Sequence, residues 1–246
     1  MQARSSIHVG RDGRGQSAIV ALRAEAPLLL RVAGGQRTGT PLLVQLVGGA
    51  AGPLGGDVLR LDIGVAADAA LMIRSVAASM AQPGRPGTSG SNSTIVAAVG
   101  ANASLDWWPE PLVSVHGSTH EQSTTVVLAD DTSTLRWVDE VVLGRHAEEG
   151  GRLTMRQRVT VADLPVLHHV VAFDPQRAGI GAHGRERVVV TAIEVGRPST
   201  SPGSIVEPHL RGARCPLSPT ATSWVVLADD LDRARKALAT LGLERA

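Results

Sequence analysis

The sequence predicts an all-β protein: an elongated, multi-stranded scaffold of packed sheets with one or two short helices, one of them near the C-terminus. Clusters of turn-forming residues separate short apolar runs at intervals of roughly ten residues, a spacing typical of strands. Several of these runs alternate apolar and polar residues with the period of two that a half-buried strand requires. The chain has one Phe, four Trp and no Tyr, so its core must be built mainly from Val, Leu, Ile and Ala, and abundant valine favours strands.

The domain organisation follows from the distribution of glycine and polar residues. Residues 1–17 are polar and glycine-rich, and we expect them to be poorly ordered. Residues 18–246 are expected to form a single β-rich domain. Within it, residues 82–94 combine glycine, proline, serine and asparagine, which is the composition of an exposed loop.

The clearest predicted strand follows the turn "GPLGGD" at residues 52–57. On one of its faces lie Leu59, Leu61, Ile63 and Val65, and on the other Arg60, Asp62 and Gly64. The next segment, 67–79, either continues as a strand after a turn at Asp68 or forms one helical turn, and the sequence leaves both open. Residues 123–145 contain two alternating runs around Asp130-Asp131 and are interpreted as a β-hairpin. The other predicted strand segments are 17–32 with a break at Pro27, 42–47, 94–100, 103–108, 152–162 and 185–195.

The predicted helix lies at the end of the chain. Asp229 or Asp230 can cap its N-terminus, and Gly242 follows as a stop signal. Between them, an apolar stripe at helical spacing comprises Leu231, Ala234, Leu238 and Leu241.

The charge and cysteine content exclude several classes of function. With 24 basic and 23 acidic residues interspersed, the chain has no electrostatic footprint for nucleic acid or an anionic membrane surface. Cys215 is the single cysteine, which excludes an intrachain disulfide and a thiolate metal cluster within this chain. No apolar leader or bilayer-length apolar run is present, so we expect a cytoplasmic protein without a membrane partner.

Two possible enzyme motifs lack the sequence context that their function requires. Residues 179–184, "GIGAHG", satisfy the dinucleotide pattern G-x-G-x-x-G, but Asp174-Pro175 interrupts the preceding segment and a valine-rich strand follows in place of a helix. A hydrolase could use His116, Ser118 or His120, but no G-x-S-x-G elbow is present.

The stronger candidates for a functional site are acidic residues at positions where a carboxylate has a structural cost. Asp57 follows two glycines, Glu110 lies between two prolines, and Asp139 and Glu140 interrupt an apolar run. Each has a purely structural interpretation: Asp57 as a turn or capping residue, Glu110 as a loop residue, and Asp139 or Glu140 as the outward position of a strand.

Three segments, in order, resemble the urease accessory protein UreD family. They are "PLGGDVLRLDIGVAADAALMIRSVAAS" (53–79), "LDWWPEPLVSVHGS" (105–118) and "LRWVDEVVLGRHAEEGG" (135–151). The resemblance implies a mostly β scaffold without catalysis of its own, which binds the urease apoprotein on one side and UreF on the other. UreF in turn recruits the GTPase UreG, which carries nickel, and a water-filled passage leads the ion towards urease.

The same resemblance implies that nickel passes through this chain and that no cofactor is tightly bound. An ion in transit needs weak, exchangeable oxygen or nitrogen contacts, because a tight site would trap it. The predicted contacts are Asp57, Asp139 and Glu140, with Glu110 and His116 as lesser candidates. The alternative is a non-catalytic β-sandwich that binds a protein or carbohydrate ligand, which the composition permits equally well.

Overall fold

The computed structural model describes residues 1–33, 39–175, 186–198 and 201–245, and in this part the chain forms eighteen strands and one helix. The strands in the first half are β1 (Gln2–Arg11), β2 (Ser17–Arg23), β3 (Leu28–Val32), β4 (Leu42–Gly48), β5 (Val58–Val65), β6 (Ala70–Ser75), β7 (Ser79–Ala81), β8 (Ser91–Val99), β9 (Ser104–Trp107) and β10 (Leu112–Ser114). The second half contributes β11 (Thr119–Leu128), β12 (Thr134–Leu143), β13 (Arg152–Val161), β14 (Leu164–Phe173), β15 (Val188–Val195), β16 (Gly203–Glu207), β17 (Leu210–Ser218), β18 (Ala221–Ala228) and the helix α1 (Leu231–Thr240).

The strands form two large sheets. The first sheet has the order β14-β13-β11-β8-β5-β1-β2, and the second has the order β16-β17-β18-β15-β12-β9-β6-β4-β3, with β10 and β7 beside β12. From β4 to β13 the chain passes repeatedly from one sheet to the other, and successive strands within each sheet pair in parallel. The predicted all-β fold of packed sheets is therefore confirmed, with a coiled, solenoid-like arrangement at its centre.

The main hydrophobic core lies between the two sheets. Alternation in β5 is as predicted, since its four inward residues Leu59, Leu61, Ile63 and Val65 are all buried. They share the interior with residues of the opposite sheet such as Leu71, Leu105 and Trp137. Each such side chain contributes about 1.5–3 kcal/mol when removed fully from water, so the alternating pattern holds the two sheets together.

Helix α1 covers the outer face of the second sheet. Asp230 caps it by accepting a hydrogen bond from the backbone N–H of Arg233 at 2.8 Å, as predicted. Its buried face, formed by Ala234, Ala237 and Leu238, packs in one cluster with residues of β12, β15 and β18. Strand β12 is consequently buried on both faces.

The N-terminal segment differs from the expectation of disorder at residues 1–17. Strand β1 is paired with β5 in parallel and with β2 in antiparallel orientation, and only a short glycine-containing turn at 12–16 separates β1 from β2. The alternation of Ala3, Ser5, Ile7 and Val9, all buried, explains this strand.

The predicted hairpin at 123–145 is wrong. Strands β11 and β12 belong to different sheets, so the turn between them is a corner of the coil. Asp130 stabilises this corner by accepting a hydrogen bond from the backbone N–H of Thr132 at 2.9 Å. A hairpin and a corner need similar turn residues, and only the partner of each strand distinguishes them.

Two other segments refine the sequence-based boundaries. The open question at 67–79 resolves as strand β6, and the exposed loop expected at 82–94 ends at Gly90 because β8 begins at Ser91. Residues 34–38, after β3, and the glycine-rich segment 179–184 lie outside the described residues.

The two glycines of the turn before β5 are required for separate structural reasons. A Cβ on Gly55 would lie 2.5 Å from the backbone nitrogen of Gly84, so this position allows close approach of the 82–90 loop. Gly56 has a φ of +88°, in the left-handed region that L side chains rarely adopt.

Replacing Gly55 with alanine is expected to destabilise the fold by about 1–3 kcal/mol, because backbone atoms must move to admit the methyl group. Denaturant unfolding measures the change. Gly13→Ala is the matched control, since a Cβ there meets nothing within 4 Å, and it should shift stability by less than about 0.5 kcal/mol. Equal stability of the two variants would contradict the close-approach argument.

Candidate functional site

A cavity of about 360 Å³ lies between the two sheets. Apolar residues of both sheets line it, among them Leu59, Ile95, Met155 and Val141. It opens to solvent beside the connection that follows β6, where the lining residues 76–80 are exposed. The ionisable groups of its lining are Glu110, His120, Asp139 and Glu140.

A break in the second sheet lies next to this cavity. Strand β9 ends at Trp107, which is opposite Trp137 of β12, and β10 begins at Leu112, which is opposite Val141. The four residues between them, 108–111, leave the ladder opposite the middle of β12. Two of the four are prolines, which have no amide to donate to a neighbouring strand, and this explains the interruption.

Asp139 lies on the cavity side of this break. Its carboxylate accepts hydrogen bonds from the indole N–H of Trp107 at 3.3 Å and of Trp137 at 2.9 Å. The two indole rings stack on each other with centroids 4.6 Å apart, which fixes both donors. Burial raises the pKa of Asp139 to about 6, while hydrogen bonds from Trp137, Trp107 and Gln122 oppose the rise. Asp139 therefore changes charge near neutral pH inside the cavity.

Glu140 points to the opposite face of β12, towards helix α1. Its side chain is 0% exposed and accepts a hydrogen bond from the indole N–H of Trp108 at 3.0 Å. The guanidinium of Arg235 donates to both carboxylate oxygens, with Nε 3.0 Å from Oε1 and 3.2 Å from Oε2. Glu140 is thus a buried charge whose counter-ion comes from a distant part of the chain.

Glu110 lies in the break itself and is half-buried. Its carboxylate accepts hydrogen bonds from Arg245 at 2.6 Å and from Arg235 at 3.1 Å. Burial by itself raises the pKa of Glu110, but the two arginines outweigh it and hold that pKa below its usual value. The structure therefore brings Asp139, Glu140 and Glu110, three of the five predicted residues, to one break in the sheet.

Asp57 and His116 lie outside the lining of the cavity. Asp57 is buried in the turn before β5, where its carboxylate accepts hydrogen bonds from the backbone N–H of Leu54 at 2.9 Å and the amino group of Met1 at 2.7 Å. His116 is exposed in the loop after β10. A contact of either residue with nickel stays a prediction.

His120 and Gln122 are lining residues that the sequence-based choice of site residues missed. Both occupy inward positions of β11, four and two residues before the buried Thr124 respectively. Burial lowers the pKa of His120 to about 4, although a hydrogen bond with the backbone of Ser91 opposes this. The Ser91 hydroxyl also lies 2.8 Å from Nδ1 of His120. The alternation of β11 is the signal that could have placed both side chains inside.

The candidate hydrolase residues do not form a nucleophile–base pair. His116 is exposed, the Ser118 hydroxyl lies 3.5 Å from that of Ser114, and His120 contacts Ser91 instead. In the described residues, no three His, Cys, Asp or Glu side chains converge closely enough to hold a metal ion. The cavity instead offers single oxygen and nitrogen ligands at separate positions.

Fold and site together define a class: a mainly β scaffold whose interior carries separated ionisable groups around a break in one sheet. Comparison with known families makes this specific. The family model described as UreD urease accessory protein matches residues 1–240. The chain belongs to the UreD family, as its sequence predicted.

Individual relatives agree with this assignment. The chain is 45% identical to the urease accessory protein UreD of Parafrankia sp. (strain EAN1pec), over 67% of this chain but only 54% of the relative. It is 34% identical to UreD of Frankia alni over 98% of this chain and 92% of the relative. UreD of Streptomyces coelicolor is likewise 34% identical, over 92% of this chain and 90% of the relative. Among the described residues, no helix has the length and apolar character needed to span a membrane.

Proposed function

We propose that this chain is a non-catalytic scaffold for nickel insertion into urease in the cytoplasm. It binds the urease apoprotein and UreF, and it reaches UreG through UreF. The observation that carries the proposal is the match of the UreD family model to residues 1–240. Family membership favours this function over a general binding module for a protein or carbohydrate.

The cavity supports a passage for the ion. It is open to solvent at one end, and at the break in the second sheet it reaches carboxylates on both faces of β12, Asp139 inside and Glu140 outside. A sheet without a break would separate these two faces by a continuous hydrogen-bonded ladder. The proposed route therefore passes Asp139 and continues towards Glu110.

The chemistry of the available ligands supports passage of the nickel ion through the cavity over its tight binding there. Nickel binds imidazole nitrogen and carboxylate oxygen, and affinity rises with the number of ligands that can bind at once. Asp139 offers one carboxylate that is already shared between two indole donors, so a bound ion exchanges readily. Because Asp139 loses its proton near pH 6, its attraction for a cation increases between pH 5 and pH 7.

Replacing Asp139 with asparagine is expected to lower the nickel content and activity of co-produced urease about tenfold, because the cavity then has no anionic oxygen at this position. The measurement is nickel per urease active site after co-production with UreF and UreG. Co-purification of the variant chain with UreF and urease should be unchanged.

Asp62→Asn is the matched control, since Asp62 lies on β5 outside the cavity lining and pairs with Arg4 and Arg60. It should leave urease nickel at the wild-type level. Full nickel loading of urease in the absence of this chain, or failure of the wild-type chain to bind either UreF or urease, would overturn the proposed function.

A further inference from the structure

The outer face of the sheet break is covered by the end of the chain. Residues 241–245, which we call the C-terminal strap, follow helix α1 and return to residues 108–110. Arg245 donates to the Glu110 carboxylate at 2.6 Å and to the carbonyl of Trp108 at 3.2 Å. Its guanidinium carbon also lies 6.0 Å from the centre of the Trp108 ring. The strap thus contacts two residues of the break through one cationic side chain.

The two arginines at the break differ in how firmly they are held. Arg235 belongs to helix α1, whose apolar face is buried and whose last turn is fixed by the hydrogen bond from the Trp224 indole to the carbonyl of Leu241 at 3.0 Å. Beyond the buried Leu243, the hydrogen bonds of the strap residues that the structure describes are those of Arg245 and a long one, 3.4 Å, from Arg136 to the carbonyl of Glu244. Arg245 can therefore leave without any movement of the helix.

The charges of the two glutamates at the break are balanced only while Arg245 is present. The carboxylates of Glu110 and Glu140 carry two negative charges, and the guanidiniums of Arg235 and Arg245 carry two positive ones. When Arg245 leaves, these groups carry one net negative charge. This charge is located at Glu110, because Arg235 also pairs with the fully buried Glu140. Glu110 lines the cavity, so this charge faces the proposed route.

We propose that the C-terminal strap carries a displaceable counter-ion, Arg245, for the Glu110 carboxylate of the cavity lining. Arg245 and a divalent cation compete for the same carboxylate, so the cation binds Glu110 only when the strap is displaced. The identification of that cation as nickel rests on the proposed function. The match to the family model ends at residue 240, so Arg245 lies outside the matched residues.

Competition has a reciprocal consequence. If Arg245 weakens cation binding, then a bound cation must weaken the contact of Arg245 by the same factor. Adding Ni²⁺ to the chain should therefore increase hydrogen exchange in a C-terminal peptide that contains residues 243–245. Peptides from helix α1 should be unaffected, because the helix does not move.

The test measures binding of Ni²⁺ to the full chain by titration calorimetry. Arg245→Ala and Arg245→Gln should each bind Ni²⁺ about three- to tenfold more tightly than the wild type, as expected when a partly exposed ion pair no longer competes. The double variant Glu110→Gln/Arg245→Ala should lose the gain. Arg233→Ala is the matched control, because it removes an equal charge from the preceding helix α1 at a position paired with Asp229 and Glu207.

Three outcomes overturn the strap proposal: unchanged affinity in both Arg245 variants, an equal gain in Arg233→Ala, or a gain that persists with Glu110→Gln. These results are distinguishable from failure of the proposed function. If Arg245→Ala binds Ni²⁺ more tightly through Glu110 but urease loads fully without this chain, the strap stands and the proposed function fails. If Asp139→Asn lowers urease nickel while Arg245→Ala leaves Ni²⁺ affinity unchanged, the proposed function stands and the strap fails.

Discussion

Replacing Arg235 with methionine is expected to lower the free energy of unfolding by about 3 kcal/mol. Methionine keeps the apolar stem of the side chain but removes the guanidinium, so Glu140, which is 0% exposed, loses its counter-ion. Breaking a buried ion pair from one side typically costs about 3–5 kcal/mol. We expect the lower end of that range because the Arg235 side chain is 31% exposed, which allows water to approach the remaining carboxylate.

A double-mutant cycle measures this interaction by denaturant unfolding. Glu140→Gln in the Arg235→Met background should recover part of the loss, because a neutral amide replaces the unpaired charge. Arg233→Met is the matched control on the same helix, and its exposed pairs with Asp229 and Glu207 predict a change of less than about 1 kcal/mol. If Arg235→Met and Arg233→Met have the same stability, Glu140 does not depend on Arg235.

Replacing Asp139 with asparagine is expected to stabilise the isolated chain at neutral pH while it impairs nickel delivery. The folded state holds the pKa of Asp139 at about 6 against the usual 3.8. Between these values the unfolded chain binds fewer protons than the folded one, so the contribution of Asp139 to stability falls as pH rises from about 4 to about 6. The shift corresponds to a cost of about 3 kcal/mol that is complete above pH 6 and absent below pH 4.

The measurement is the difference in unfolding free energy between Asp139→Asn and the wild type from pH 4 to pH 7. The difference should rise in favour of the variant with increasing pH. Asp62→Asn should instead be destabilising with little variation from pH 4 to pH 7, because burial raises the pKa of Asp62 but Arg60 and Arg4 outweigh it and lower that pKa below its usual 3.8. A difference for Asp139→Asn that does not vary with pH would show that Asp139 titrates normally. A carboxylate that costs stability at neutral pH is typical of a residue retained for function.

Local patterns predicted most of the strands but not their partners. The alternation of Leu59, Leu61, Ile63 and Val65 identified β5 and its buried face, and the Asp230 cap with Gly242 bounded the helix. The same alternation on either side of Asp130 was interpreted as a hairpin, although its two strands lie in different sheets. Alternation determines which side chains share a face, whereas pairing depends on contacts between residues distant in sequence.

The sequence indicates the acidic residues of the site, but it does not predict the environments of their side chains. Asp139 and Glu140 stood out because they interrupt an apolar run, and an outward position for one of them was the ordinary expectation for a strand. Helix α1 covers that outward face, so Glu140 is buried as well. Arg235, its counter-ion, is 95 residues away in the sequence, and nothing in the local pattern around either residue indicates the pair.

The sequence by itself determined the β class, the buried face of β5, the C-terminal helix and, through three ordered segments, membership of the UreD family. Only the tertiary structure decided which carboxylates share a cavity. It placed Asp139, Glu140 and Glu110 at one break in the second sheet and left Asp57 in its turn. The physical reason is that side-chain periodicity is a local property of the backbone, whereas a cavity and its counter-ions arise where remote strands and the chain end pack together.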